Sequence, residues 1–141
     1  MPDFDSHAFV EVATELATMN VVGDRQAYWR TAVGRAYYAA YGLVRKSLIQ
    51  KHSHAFGKSG KHGKMMRAFL ADSGNSRLNE VGQWMKLLME SRVKADYQWQ
   101  ATSNLEEAEV EDAIDAANAV LLLIQQLTPG DWLRMHQEMI K

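Results

Sequence analysis

The chain contains no cysteine, which removes disulfides, thiolate catalysis and Cys-ligated zinc from consideration. Its two prolines, Pro2 and Pro129, stand near either edge, so no proline interrupts a helix between them. Long apolar runs are also missing. The most apolar stretch, 113–127, is broken by Asp115 and Asn118 and falls short of the roughly 20 residues a spanning helix needs. The first residues show neither the basic start nor the apolar run of a signal peptide. Together these absences predict a cytoplasmic protein with no membrane partner. There is no Gly-x-Gly-x-x-Gly, P-loop or Gly-x-Ser-x-Gly, so the common nucleotide-loop and hydrolase signatures are lacking. No Glu-x-x-His pair exists either, which argues against a di-metal site in a bundle core, and no cofactor is expected. The net charge is −1, far from the strongly basic balance of a dedicated nucleic-acid binder.

What is present favours helix. Of 141 residues, 47% are apolar and 23% charged, ordinary values for one globular domain covering 1–141. Ala, Leu, Met, Glu, Gln, Lys and Arg outnumber β-branched residues, and no strand pattern or internal repeat occurs. A first helix is predicted from about Ser6 to Met19, with Phe9, Val12, Ala13 and Leu16 on one side. Gly23-Asp24 breaks the chain and supplies a capping carboxylate. A second, long helix covers about Arg25 to Lys51, and a glycine-bearing loop covers Ser53 to Gly63. A third runs from about Lys64 to Ala71, and a fourth from about Arg77 to Tyr97. The fifth opens at Ser103 or Asn104, where Ser103-x-x-Glu106 matches a capping box, and continues to about Leu127. Pro129-Gly130 stops it, and Asp131 to Met139 forms a last short helix. The fold class is therefore all-α: an antiparallel up-and-down bundle of four to five helices with a short C-terminal helix.

Charge is unevenly spread. Seven Lys or Arg, three histidines and no acid lie between Arg45 and Arg67, whereas six acids and no base lie between Ala101 and Gly130. A basic rim that attracts phosphates is one explanation, but charge alone favours helix-dipole complementarity and solvated faces.

Three places carry candidate chemistry. On the second helix, Tyr28, Thr31, Arg35, Tyr38, Gly42 and Arg45 share one line at steps of three and four, beside a closely packing line of Ala32, Ala36, Ala39 and Leu43. On the fourth, the apolar seam Leu78, Val81, Met85, Leu88 runs into Arg92. That cation needs a carboxylate, a ligand anion or water, and Asp96 stands one turn on. At Lys61-His62-Gly63-Lys64 a loop becomes a helix, where freed N–H groups and cations make an anion site. His52 and His54 share that loop, too weak a pattern for a metal. The tryptophans Trp29, Trp84, Trp99 and Trp132 read as core or interface material. The alanine line, with the surplus of Trp and Met, predicts a homodimer.

Three segments in order resemble a HEPN domain (higher eukaryotes and prokaryotes nucleotide-binding). They are Arg35-Ala36-Tyr37-Tyr38-Ala39-Ala40-Tyr41, then His62-Gly63 ahead of Met65 to Leu70, then Arg92-x-x-Ala95-Asp96-Tyr97 before an acidic long helix. The match is to small prokaryotic members with an S-R-A-Y-Y-A motif, and it spans roughly 6–128. Gly34 stands where that motif has serine. The resemblance implies a helical bundle, often dimeric, that binds nucleotide or RNA within a toxin–antitoxin or phage-defence module. It also implies a partner antitoxin or nucleotidyltransferase. Many members are metal-independent endoribonucleases carrying an arginine followed four to six residues later by a histidine. No histidine follows Arg92 at that spacing, and Arg45 with His52 fits the formula only at the end of the second helix. If the chain cuts RNA, His62 is the acid–base candidate and Arg92 the catalytic cation beside it, with Arg35, Tyr38, Lys61, Asp96 and Tyr97 around the phosphate. The alternative reading is a non-catalytic helical interaction module whose Arg and Asp contacts are structural.

Overall fold

The computed structural model describes residues 5–20, 23–52, 61–71 and 74–139, with the backbone alone at 51–52, 61–64, 101 and 139. Six α-helices and no strand occur among them: α1 (Ser6–Thr18), α2 (Arg25–His52), α3 (Lys61–Ala71), α4 (Ser76–Tyr97), α5 (Glu107–Gln126) and α6 (Pro129–Met139). A short 3-10 turn, Ala101–Ser103, precedes α5. The all-α bundle read from the sequence is the fold.

Helix starts follow from local chemistry. Asp5 Oδ1 accepts from the Ala8 N–H at 3.1 Å, Asp24 Oδ1 from Gln26 at 2.9 Å, and Asn75 Oδ1 from Leu78 at 3.0 Å. Each satisfies a donor the helix itself leaves unpaired. Gly23, at φ 116°, supplies the backbone reversal between α1 and α2 that an L side chain rarely adopts.

α2 and α5 run alongside each other with α1 and α4 packed on them. Both carry fully buried alanines, Ala32, Ala36, Ala39 and Ala40 on α2 and Ala113, Ala116 and Ala117 on α5, side chains small enough for helices to approach closely. The alanine line is thus spent inside the chain's own core, which withdraws it as a reason for dimerisation. On α4 the seam Leu78, Val81, Met85 and Leu88 is buried as its spacing required. On α1 the buried positions are Ser6, Val10 and Ala13, while Val12 is exposed, so the expected face was turned by part of a step.

α4 is antiparallel to α2. Arg30 Nη1 donates to the carbonyls of Lys94 and Ala95, both at 2.9 Å, and Nη2 to that of Ser103 at 3.2 Å. A guanidinium at the negative end of α4 gives the Ala95 carbonyl a donor and adds a second to that of Lys94, which also accepts from the Gln98 N–H at 3.1 Å. Gln26 clamps the next stretch, accepting from the Leu105 N–H at 2.8 Å and donating to its carbonyl at 2.7 Å. This anchoring moves the start of α5. Glu106 becomes its cap without a side-chain hydrogen bond, and the predicted Ser103 capping box does not form. A different box appears downstream. Asp131 N–H donates to Thr128 Oγ1 at 3.1 Å, and Thr128 N–H donates to Asp131 Oδ2 at 2.9 Å. Pro129 therefore opens α6 instead of merely ending α5. α3 likewise begins at Lys61, one turn before the predicted Lys64.

Candidate functional site

The docking of α2 on α4 brings the tyrosine ladder over Arg92. Its Cζ lies 5.2 Å from the Tyr37 ring centroid, 5.4 Å from Tyr38 and 6.0 Å from Tyr97. A guanidinium over ring faces is attracted by their negative quadrupole. The rings brace one another: Tyr37 and Tyr38 meet edge-on at 5.1 Å, and Tyr37 stacks on Tyr41 at 6.0 Å. Arg92 Nε lies 3.2 Å from Asp96 Oδ2, with Arg92 19% exposed. The approach is off-line, and Nε is buried without a hydrogen-bond partner among the described residues. Asp96 thus holds Arg92 by charge alone. Burial pushes the Tyr37 hydroxyl well above the ordinary phenol range, opposed in part by Arg92. Burial also raises Tyr41, opposed by Arg45. Both phenols are protonated near neutral pH and can act as donors.

In front of this stack lies a shallow cleft of ≈ 280 Å³, lined by Arg30, Thr31, Gly34, Arg35, Tyr38 and Asp96. Arg35 is exposed. Its Cζ sits 5.7 Å from the Phe9 ring, and it has no carboxylate partner among the described residues. Gly34 keeps one wall open, since a Cβ built there meets nothing within 4 Å. A serine, as in the resembling motif, would therefore fit. Arg30 and Arg35 line the cleft with Asp96, which is paired with Arg92, so among the described residues the local balance is cationic despite the chain's overall charge. Arg30 is turned to backbone carbonyls and Arg92 to Asp96, which leaves Arg35 to meet an incoming anion.

The structure brings together Arg35, Tyr38, Arg92, Asp96 and Tyr97. Lys61 and His62 lie in the first turn of α3, and their side chains fall outside the described residues. His54 falls outside them altogether, and His52 is described in its backbone alone. Arg30 went unread in the sequence. Its four-residue line with Gly34 and Tyr38 was visible, but its carbonyl partners stand more than sixty residues away. The exposed Tyr97 (63%) and Trp99 (72%) follow directly after the stack, so Trp99 is surface and not core. Among the described residues no three His, Asp or Glu side chains group as metal ligands, and no helix is long and apolar enough to cross a membrane.

Fold and cleft together define an all-α bundle with a guanidinium-lined surface site. No family model, curated protein or solved structure matches the chain.

Proposed function

We propose that this protein binds a phosphate-bearing ligand, a nucleotide or RNA, at the Arg35 cleft, as a HEPN-type component of a toxin–antitoxin or phage-defence module. The observation that carries the reading is Arg35 itself: an exposed guanidinium with no carboxylate partner among the described residues, at the mouth of a cleft walled by a second arginine, a tyrosine and Asp96. A guanidinium fork suits a phosphate's paired oxygens. Asp96 does not repel the ligand outright, because Arg92 beside it offsets its charge.

Metal-independent cleavage of RNA is the catalytic extension of the proposal. In it His62 moves the proton at the 2′-hydroxyl or the leaving oxygen, and Arg35 balances charge developing on the phosphate. Arg92 changes role from the catalytic assignment made on sequence. It acts as a prop that fixes Tyr38 and Asp96 from behind. A homodimer and a partner antitoxin or nucleotidyltransferase belong to the same proposal.

One observation favours the second reading, a non-catalytic interaction module. Arg92 is pinned under three rings and against Asp96, the arrangement a purely structural pair would adopt. Calorimetric titration of metal-free protein with nucleotide and with mixed RNA separates the two. Binding that weakens on Arg35→Ala by about 10- to 100-fold, the loss of one charge-assisted contact, supports the first. Heat of binding that is absent, or indifferent to Arg35, leaves the interaction module.

A further inference from the structure

A second depression adjoins the cleft. It is a groove of ≈ 510 Å³ lined by Phe9, Tyr38, Tyr41 and Gly42, with Arg45, Lys46, Ile49 and Gln50 at its far end. Tyr38 lines both. Among the described residues the groove's lining holds two cations and no acid, and Tyr38 is 39% exposed between the two depressions. Arg35 and Lys46 are eleven residues apart on α2. That is about three full turns, so they share a face, and about 16 Å along the axis. One nucleotide's phosphate cannot reach both.

We propose that the ligand of the Arg35 cleft is a single-stranded oligonucleotide, whose next phosphates run past Tyr38 into this groove and meet Arg45 and Lys46, with a base against the tyrosine rings. The inference rests on the phosphate-binding reading of the Arg35 cleft and extends it to a substrate class. Cations spaced along a groove with ring faces between them are what a flexible strand requires, because every base has a face to stack and every linkage a charge. A duplex is rigid and presents its bases edge-on within grooves, which one helix face with a central ring does not match. A second copy of this chain is the competing occupant. Acids at the start of α5 carry the complementary charge, but they give the ring faces at the centre of the groove nothing to stack on, whereas a strand's bases do.

The test compares adenosine monophosphate with a mixed-sequence ribohexanucleotide, each titrated into wild-type protein, an Arg45→Ala/Lys46→Ala variant and an Arg67→Ala/Lys86→Ala control. The control removes the same charge from exposed positions on α3 and α4. The wild type is expected to bind the hexanucleotide at least tenfold more tightly than the mononucleotide. The Arg45/Lys46 variant is expected to lose that advantage and to lower the salt slope of hexanucleotide binding by about 1.4, about 0.7 for each single-strand phosphate contact removed. Its mononucleotide affinity, and both affinities of the control, stay at wild-type values. Equal affinity for the two ligands in the wild type overturns the strand proposal while leaving the Arg35 cleft intact. So does a variant with an unchanged slope. Absence of binding by either ligand removes the phosphate reading itself, and the strand with it. If light scattering shows that the variant breaks a wild-type dimer while hexanucleotide binding is untouched, the groove is a contact between copies and the proposal fails.

Discussion

Replacing Asp131 by asparagine tests how α6 is fastened to the bundle. The carboxylate is 4% exposed and accepts from four donors. Asn75 Nδ2 reaches Oδ1 at 2.7 Å, Arg77 Nε and Nη2 reach Oδ2 and Oδ1 at 2.9 and 3.3 Å, and the Thr128 N–H reaches Oδ2 at 2.9 Å. An amide has one acceptor oxygen, so at least one donor then faces another donor. Arg77 is 48% exposed and can turn to water, but Asn75 is buried and cannot. Losing the charge and part of the network should cost about 2–3 kcal/mol, roughly 10 °C in melting temperature for a chain of this size. The assay is urea and thermal unfolding followed by circular dichroism, with hydrogen exchange of α6 amides to show where protection is lost.

The pH dependence gives an independent sign. Arg77 above all, with Thr128 and Asn75, holds the Asp131 pKa well below the usual carboxylate range against the opposing effect of burial. A carboxylate lowered in the native state stabilises it fully above its unfolded value near about 3.9, and loses that contribution as pH falls through the native value. The gap between wild type and Asp131→Asn should be full at neutral pH and narrow progressively below about pH 4. A gap under about 0.5 kcal/mol at pH 7, the scatter of ordinary surface changes, or one that widens in acid, would refute the latch.

The same substitution at two glycines should act with opposite sign. At Gly34 an added Cβ has open space, so Gly34→Ala should stabilise by about 1 kcal/mol through helix propensity. At Gly82 it meets Leu70 Cγ and Cδ2 at 2.7 Å and Phe69 Cβ at 3.1 Å, and overpacking of about 1–3 kcal/mol should outweigh that gain. Paired denaturation curves decide it. Arg30→Met should cost about 2–3 kcal/mol by stripping the α4 carbonyls of a charged donor, and exchange should quicken first at residues 94–105.

Regular spacing made most of the bundle legible. The α4 seam announced its buried face because residues three and four apart must share one side of a helix. The Arg92–Asp96 pair was equally local, one turn apart on the same helix. The Arg92 ring cage was half legible: the ladder Tyr37, Tyr38, Tyr41 was plain on α2, but nothing local says that α4 delivers a guanidinium to it. Arg30 was hidden for the same reason, since its acceptors are backbone atoms of another helix. The Thr128–Asp131 box was present in the sequence and obscured by Pro129-Gly130, which reads as a stop although proline suits the first helical turn. The false box at Ser103 shows the converse. Gln26 holds Leu105 from outside, and that tertiary contact overrode a local pattern.

The division of labour between the two arginines is best tested by following their side-chain Nε–H signals in a nitrogen-edited spectrum while adenosine monophosphate is added, with assignments from Arg35→Lys and Arg92→Lys. The account predicts a saturable displacement of the Arg35 signal and a much smaller one for Arg92 in its ring cage. An Arg35 signal that stays in place at saturating ligand, or an Arg92 signal that moves while Arg35 does not, would contradict it.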